Sequence, residues 1–377
     1  MENKSFVNCS NEAIFCLIKK KYLYREAQKM IVATGNEEFI SKMLERDSLD
    51  YNVQKMIAKS GKHEFISKLL ENKDLYYDTL EIIALMNKDE YTLKILEAEN
   101  LSSNIQKIIW KTGNREYIFK LLERKDLHGT LQEIIVESKE REYILKLLER
   151  NNLHEYAQCA IASSRREYIL ELLKRPNLSE RAQCIIAKKG NREYINKLFE
   201  QKYLCDRAQL LIFRTKIAKY INKLLKRKDL CEYVQIEIVK TNDCKLISKL
   251  FERKFLSYDV LEILLETRNH EYIMKVLERE DFNYLLGEKI LEMGNNEYNL
   301  KLLEKSDLDY KVQKRIIETG NPEYINKLLD RCNLSEDIQV IIAKSGNREY
   351  INKLLEKSEI YYEAQEIIVE QALAGLV

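Results

Sequence analysis

The sequence repeats itself about every 26 residues, and this period constrains the fold more than any other feature. The segment from Arg192 to Leu198 recurs almost unchanged from Arg348 to Leu354. Aligning the chain on this segment gives one aromatic or apolar slot per copy, in steps of 26 residues with a single step of 25. A period of this length indicates stacked supersecondary units rather than separate globular domains. The slot is filled by Ala13, Phe39, Phe65, Tyr91, Tyr117, Tyr143, Tyr168, Tyr194, Tyr220, Leu246, Tyr272, Tyr298, Tyr324 and Tyr350.

Each copy contains two segments with helical spacing of apolar residues. The spacing is i, i+1, i+4 and i+5 in the first segment and i, i+3 and i+4 in the second, which places each set on one helical face. Examples are Tyr194, Ile195, Leu198 and Phe199 in one segment, and Ala182, Ile185 and Ile186 in the other. The spacing predicts a hairpin of two helices of about ten residues each. Helices this short are marginal alone, so we expect them to be stabilised by stacking.

The ends of the predicted helices carry suitable capping residues. Gly190 and Asn191 exemplify a Gly-Asn pair that recurs between helices, where Gly favours the left-handed turn and Asn caps the next helix. Ser179 represents the capping slot of the second helix. The whole chain contains only 10 Gly and 2 Pro, which argues against a fold built from short strands and turns.

The hairpin, with its Leu-Leu pair, Asp-Leu loop and Ile-Ile-Ala second helix, resembles short HEAT-like repeats and the leucine-rich repeat variant. The resemblance covers the whole chain and implies an all-α fold, an α-solenoid that forms a right-handed superhelix of about 14 two-helix repeats. Most such proteins are protein-binding scaffolds, and some HEAT-like solenoids bind nucleic acid. The expected organisation is one domain over 1–377, with an N-terminal cap or tail at 1–11, repeats over 12–371 and an apolar tail at 372–377.

Two slots that are filled alike in most copies are interpreted as structural. Glu193 and Lys197 exemplify a Glu-Lys spacing of i, i+4, which predicts a solvated face of alternating charge that also includes Arg46 and Arg150. A Gln recurs at one slot of the second helix, where its amide is expected to bond to a neighbouring repeat or a loop carbonyl. The Gln residues are Gln28, Gln54, Gln106, Gln132, Gln158, Gln183, Gln209, Gln235, Gln313, Gln339 and Gln365.

A near-zero net charge conceals a polarised sequence. The 63 Lys and Arg almost balance the 61 Asp and Glu. Residues 201–230 nevertheless contain nine Lys and Arg against two Asp, whereas residues 256–304 hold eleven acids against five bases. The basic region also breaks the repeat pattern, since Lys216 and Ile217 replace the Gly-Asn pair. The candidate binding face, on exposed slots of the second helices, consists of Arg181, Lys188, Arg207, Arg214 and Lys240.

Three hypotheses for function follow, and none of them is enzymatic. The first is a scaffold that holds a protein or peptide partner on the second helices. The second is binding of a nucleic-acid backbone through the basic stretch 181–240, and the third is self-assembly through the apolar C-terminal end. No catalytic, phosphate-binding or cofactor motif is present, and no membrane association is expected.

The cysteines and histidines predict no metal site. Cys205 and Cys231 share one slot of adjacent repeats with His128 and His154. Neighbouring helices pack roughly 8–10 Å apart, which is too far for shared ligation. Because the chain starts without a signal peptide, the eight Cys are interpreted as reduced thiols of a cytoplasmic protein.

Overall fold

The computed structural model describes residues 11–72, 74–331 and 334–375. Within these ranges the regular structure consists of 28 helices and no strand. Neighbouring helices contact one another in series along the chain. The predicted all-α fold of stacked helical hairpins is therefore confirmed for this part of the chain. The predicted tail at 1–11 falls almost entirely on residues 1–10, which lie outside the described residues.

The first helices of successive repeats begin 26 residues apart, with one step of 25 between Arg141 and Arg166. This matches the period read from the sequence, including the position of the single shorter step. The first helices are α1 (residues 11–18), α3 (Glu37–Met43), α5 (His63–Leu69), α7 (Asp89–Glu97), α9 (Arg115–Glu123), α11 (Arg141–Leu148), α13 (Arg166–Leu172), α15 (Arg192–Leu198), α17 (Ala218–Leu225), α19 (Cys244–Phe251), α21 (His270–Leu277), α23 (Asn296–Leu303), α25 (Pro322–Leu329) and α27 (Arg348–Leu355).

The second helices follow the same period, so every first helix is paired with a second helix along the described chain. They are α2 (Arg25–Ala33), α4 (Tyr51–Lys59), α6 (Tyr77–Ala84), α8 (Ser103–Lys111), α10 (Gly129–Glu137), α12 (Glu155–Ser163), α14 (Glu180–Lys188), α16 (Asp206–Phe213), α18 (Glu232–Lys240), α20 (Tyr258–Glu266), α22 (Tyr284–Glu292), α24 (Tyr310–Glu318), α26 (Glu336–Lys344) and α28 (Tyr362–Leu373).

Most of the predicted caps form, although Ser335 before α26 makes no side-chain capping hydrogen bond. Gly190 has a φ of 66°, in the left-handed region that favours glycine. The side chain of Asn191 then accepts hydrogen bonds from the backbone N–H groups of Glu193 and Tyr194. At the irregular turn, Lys216 takes the same left-handed conformation with a φ of 56°, and Ile217 supplies no side-chain cap to α17. The basic region therefore keeps the backbone turn but loses its capping hydrogen bonds.

The chain divides into two compact units, Met1–Leu204 and Cys205–Val377. In the first unit the second helices α10, α12 and α14 pack in succession, and in the second unit α16, α18 and α20 do the same. The predicted single domain over 1–377 stays a prediction.

The aromatic slot belongs to the core of the stack. Tyr91 and Tyr272 are among the largest fully buried side chains, whereas Tyr143, Leu246 and Tyr350 are half-buried. Loop anchors such as Leu178 are also buried. The repeated slots are thus explained by packing between neighbouring helices.

The predicted apolar tail at 372–377 continues the last helix rather than forming a separate segment. Ala372 and Leu373 form the last turn of α28, and Leu373 is 85% exposed. Val369, one turn earlier, is 56% exposed. The described part of the tail therefore does not fold back over the last hairpin, and residues 376–377 lie outside the described residues.

Candidate binding surface

The glutamine ladder, defined as the eleven Gln residues of the second helices, joins neighbouring repeats at several of its positions. Gln106 is fully buried, and its Nε2 donates to the carbonyls of Leu101 and Asp126 at 3.0 and 2.9 Å. Its Oε1 accepts from the backbone N–H of His128 at 2.9 Å. Leu101 precedes α8, whereas Asp126 and His128 belong to the next loop. The structural interpretation of this slot is confirmed, and the buried members of the ladder, such as Gln106, are unavailable as a ligand surface.

A second connection between repeats comes from bases seven residues after the aromatic slot. Arg124 donates from Nη1 and Nη2 to the carbonyls of Leu96 and Ala98, at 2.6 and 2.9 Å, at the end of the preceding first helix. Such carbonyls lack intrahelical partners and carry the negative end of the helix dipole. The same role is played by these capping bases: Arg46, Arg124, Arg150, Arg175, Arg253, Arg279, Lys305 and Arg331.

The capping bases correct one sequence-based interpretation. The sequence pattern predicts that Arg46 and Arg150 lie on a solvated charged face, but both donate hydrogen bonds to backbone carbonyls of the preceding repeat. Burial lowers the pKa of Arg150 and of Lys305, as expected for charges removed from water. The prediction failed because the period alone does not distinguish an exposed base from one that reaches back to the preceding repeat.

The Glu column also pairs differently from the prediction. Glu193 accepts from Arg166 Nη2 of the preceding repeat at 2.6 Å, while Lys197 pairs with Glu200 at 2.9 Å. The expected i, i+4 pair forms elsewhere, for example between Glu271 and Lys275 at 2.6 Å. In the first unit the outward side of the first helices is therefore largely charge-compensated across repeats.

The five candidate residues are all exposed, but they occupy two ends of the second helices. Arg181 and Arg207 lie in the first turn of α14 and α16. Lys188 and Lys240 end their helices, and Arg214 is the C-cap residue of α16. Seven residues separate Arg181 from Lys188, or about 10 Å along the helix axis. Within each unit, the predicted charges therefore lie at the first or the last turn of a second helix rather than on one continuous stripe along it.

Two of these charges are compensated within the chain. Arg181 lies 3.4 Å from Glu155 of the preceding repeat, and Lys240 lies 3.9 Å from Glu237. Within the described ranges Lys188, Arg207 and Arg214 have no carboxylate within 4.0 Å. These three side chains are the ones whose charge is available to a partner.

Sequence reasoning missed a row of tyrosines at the beginning of the second helices. Tyr77, Tyr310 and Tyr362 are each the first residue of a second helix, with exposed side chains. In the second unit Lys311 lies over the ring of Tyr284 at 4.2 Å, a cation–π contact. The signal was present, because Tyr recurs at this slot at positions 51, 77, 258, 284, 310 and 362.

A groove on the second helices adjoins this tyrosine row in the second unit. It has a volume of about 420 Å³ and lies along α22 and α24. Glu288 and Glu292 line one side, and Lys311, Lys314 and Arg315 line the other. The groove is therefore polar and of mixed charge, with Tyr310 as its aromatic residue.

The His and Cys slot serves as a helix cap in the first unit. The ring nitrogen Nδ1 of His128 accepts from the backbone N–H of Thr130, and His154 does the same for Tyr156. In the second unit Cys231 is buried, and burial raises the pKa of its thiol. Among the residues that the structure describes, no group of three or more His, Cys, Asp or Glu is placed to hold a metal ion. Nor is any described helix long and apolar enough to cross a membrane.

Comparison with known proteins adds no family. No protein-family model and no curated protein matches the chain. A crystal structure of an engineered protein, solved by the Northeast Structural Genomics Consortium, is similar at 16% identity over 97% of this chain and 94% of that chain. Its TM-score is 0.17, which is too low to support an argument about this protein.

Proposed function

We infer that this protein is a non-enzymatic scaffold that holds a protein or peptide partner on the outward side chains of its second helices. The observation that carries this proposal is the contrast between buried and exposed slots of those helices. The buried slots repeat, as in Ala182, Gln183 and Ile186 of α14, because every repeat needs them for stacking. The exposed slots vary between repeats, and variation there is free to serve a partner.

The chemistry of the exposed slots supports a protein partner. Tyr and Arg are enriched at the energetic centres of protein interfaces. Both residue types occur on the second helices, as in Arg207 and Arg214 of the α16 region and Tyr233 of α18. The groove along α22 and α24 adds a concave site for an extended segment. This combination fits a peptide that makes aromatic and charged contacts with several repeats.

The repeat class and the cellular location of the protein are part of the same proposal. The hairpin architecture resembles short HEAT-like and leucine-rich-variant repeats, many of which are protein-binding scaffolds. A cytoplasmic location is consistent with the six free thiols of the described cysteines, since disulfides are rare in that compartment.

The test is partner capture from lysate with wild-type protein and an Arg207→Glu, Arg214→Glu double variant. Both residues are exposed, so the variant is expected to fold while losing specific partners through charge reversal. A Lys219→Glu, Lys245→Glu variant is the matched control, since it reverses the same number of charges on first helices. Identical sets of captured proteins for all three forms would refute the assignment of the second-helix surface.

Self-association through the C-terminal end is a second candidate, favoured by the exposed side chains of Leu355, Val369 and Leu373. Val369 and Leu373 are four residues apart on α28 and so share one helical face, and contiguous exposed apolar side chains favour association. Light scattering over a concentration series should then show a larger mass for wild type than for a Leu373→Glu variant. A monomer at every concentration would eliminate this candidate.

A further inference from the structure

One surface of the second unit breaks the charge pattern of the first helices. In most repeats a Glu precedes the aromatic slot, as at Glu193 and Glu271. In α17 and α19 this residue is Lys219 and Lys245 instead. The lysine face is defined here as Lys219, Lys223 and Lys226 of the α17 region together with Lys245 and Lys249 of α19.

These lysines share one side of two adjacent helices. Lys219, Lys223 and Lys226 follow at i, i+4 and i+7, which is a single helical face. The two helices are joined across that side by Lys249 Nζ, which donates to Asn222 Oδ1 at 2.7 Å. Successive lysines on one helix are about 6 Å apart along the axis, and neighbouring helices are roughly 8–10 Å apart. The charges therefore form a two-row array rather than isolated points.

Four of the five lysines of this face are uncompensated by acids of their own chain. In the part of the chain that the structure describes, Lys219, Lys226, Lys245 and Lys249 have no carboxylate within 4.0 Å. By contrast, Lys120, Lys146 and Lys275 of other first helices each pair with a Glu. Like charges at helical spacing repel one another, so this array costs stability in the free protein. A bound polyanion would remove that cost.

The residues between the lysines indicate which polyanion fits. Ala218, Asn222, Cys244 and Ser248 are small or polar, and none of them is aromatic. Protein interfaces generally need buried aromatic or apolar anchors, which this surface does not supply. A nucleic-acid backbone needs only cations, because binding is driven by the release of condensed counterions. We propose that the lysine face of α17 and α19 binds the sugar–phosphate backbone of a nucleic acid, independently of base sequence.

The test measures binding of the full chain to labelled duplex and single-stranded DNA across a salt series. With four phosphate contacts the affinity should fall about 50- to 150-fold between roughly 50 and 200 mM salt. The Lys219→Glu, Lys245→Glu variant should bind at least about tenfold more weakly and lower the slope of log affinity against log salt by about 2. Because neighbouring repeats already carry Glu at this slot, the variant should retain the fold, which circular dichroism would verify.

The Arg207→Glu, Arg214→Glu variant is the matched control, and it should bind DNA like wild type. If both double variants weakened DNA binding equally, the lysine face would not be the binding site and the proposal would be overturned. An affinity that does not change with salt would overturn it as well. Poly-glutamate serves as a competing probe. If it displaced DNA at equal charge concentration, the lysine face would bind acidic polypeptides rather than nucleic acid, and the proposal would be overturned. This test is separate from partner capture, since either surface can fail without the other.

Discussion

The joints between repeats are built differently in two parts of the molecule. Over residues 101–158, in the first unit, the glutamine ladder is continuous through Gln106, Gln132 and Gln158. Over residues 230–313, in the second unit, it is interrupted. Gln235 keeps its bond to the Leu230 carbonyl at 3.0 Å, but its Oε1 is buried without a partner. The next two ladder slots are occupied by Leu261 and Gly287, as the sequence shows.

The capping bases continue where the ladder stops. Arg253 donates to the carbonyls of Leu225 and Arg227 at 3.0 and 2.9 Å, and Arg279 makes the same kind of contact one repeat later. The amide of the second helix and the base of the first helix are thus independent connections between repeats. Since the bases are retained where the amides are lost, a stack of this kind tolerates local loss of the amide connection.

The largest expected effect is at the intact joint. Replacing Gln106 with Leu removes three hydrogen bonds in which the buried Gln106 side chain pairs with backbone groups of Leu101, Asp126 and His128. We expect a loss of about 3 kcal/mol, since each orphaned buried group costs roughly 1–3 kcal/mol. Urea unfolding measures the loss, and amide exchange at His128 tests whether it is local. An unchanged exchange rate at that amide would contradict the proposed role of Gln106.

The next largest effect is at the interrupted ladder, where Gly287 allows close packing. A Cβ at this position would lie 2.7 Å from Cγ2 of Val312 in the next repeat. Gly287→Ala should therefore destabilise the protein by about 2 kcal/mol, within the range for overpacked cores. Adding Val312→Ala should restore part of the loss, because it removes the clashing methyl groups. Strictly additive losses in thermal unfolding would show that the two residues do not collide.

The negative charge of Asp281 stabilises the contact between two repeats of the second unit. Burial would raise its pKa, but hydrogen bonds from Arg279 and the Leu256 N–H outweigh burial and hold the pKa below its ordinary value. Asp281→Asn should cost about 1.5 kcal/mol at neutral pH, as expected for a charged hydrogen bond. Because the pKa of Asp281 is lower in the folded protein than in the unfolded chain, its charge stabilises the fold at pH values above the unfolded pKa, near 3.9. This stabilisation is lost as the pH falls through the folded pKa. The difference in urea midpoint between wild type and variant should thus shrink below about pH 4. A constant difference would contradict the charge-based role.

The helices and the glutamine ladder could be predicted from the sequence because both follow from the spacing of residues along the chain. Buried slots such as Gln106 recur in nearly every copy, and only a structural need common to all repeats explains that recurrence. The capping bases were misassigned because their partners are backbone carbonyls, which leave no trace in sequence. The division of Arg181 and Lys188 between two helix ends was also missed, since a shared helix does not imply a shared surface. The lysine face was partly anticipated by the basic stretch, but its place on first helices required the fold.

A stabilising change is expected at Phe255, which follows Arg253 by two residues. In the next repeat the corresponding residue is Asp281, which accepts from Arg279 Nε at 2.6 Å. Arg253 Nε is buried without a partner, and the Phe255 side chain is exposed. Phe255→Asp should supply the missing acceptor and raise the free energy of unfolding by about 1 kcal/mol. Phe255→Ala is the control, because it removes the exposed ring without adding an acceptor. Equal stability of the two variants would argue against the missing hydrogen bond.

The smallest effect is expected at Gln235, and it is the direct counterpart of Gln106. Gln235→Leu leaves the Leu230 carbonyl without its amide donor, but it also removes a buried Oε1 that has no partner. The two contributions have opposite signs and similar size, so the net change should be within about 0.5 kcal/mol. The same substitution thus separates the two kinds of joint when both variants are measured by urea unfolding. A loss at Gln235 as large as that at Gln106 would mean that the amide matters for its shape and packing. In that case the hydrogen bonds between repeats would not be what distinguishes the two regions.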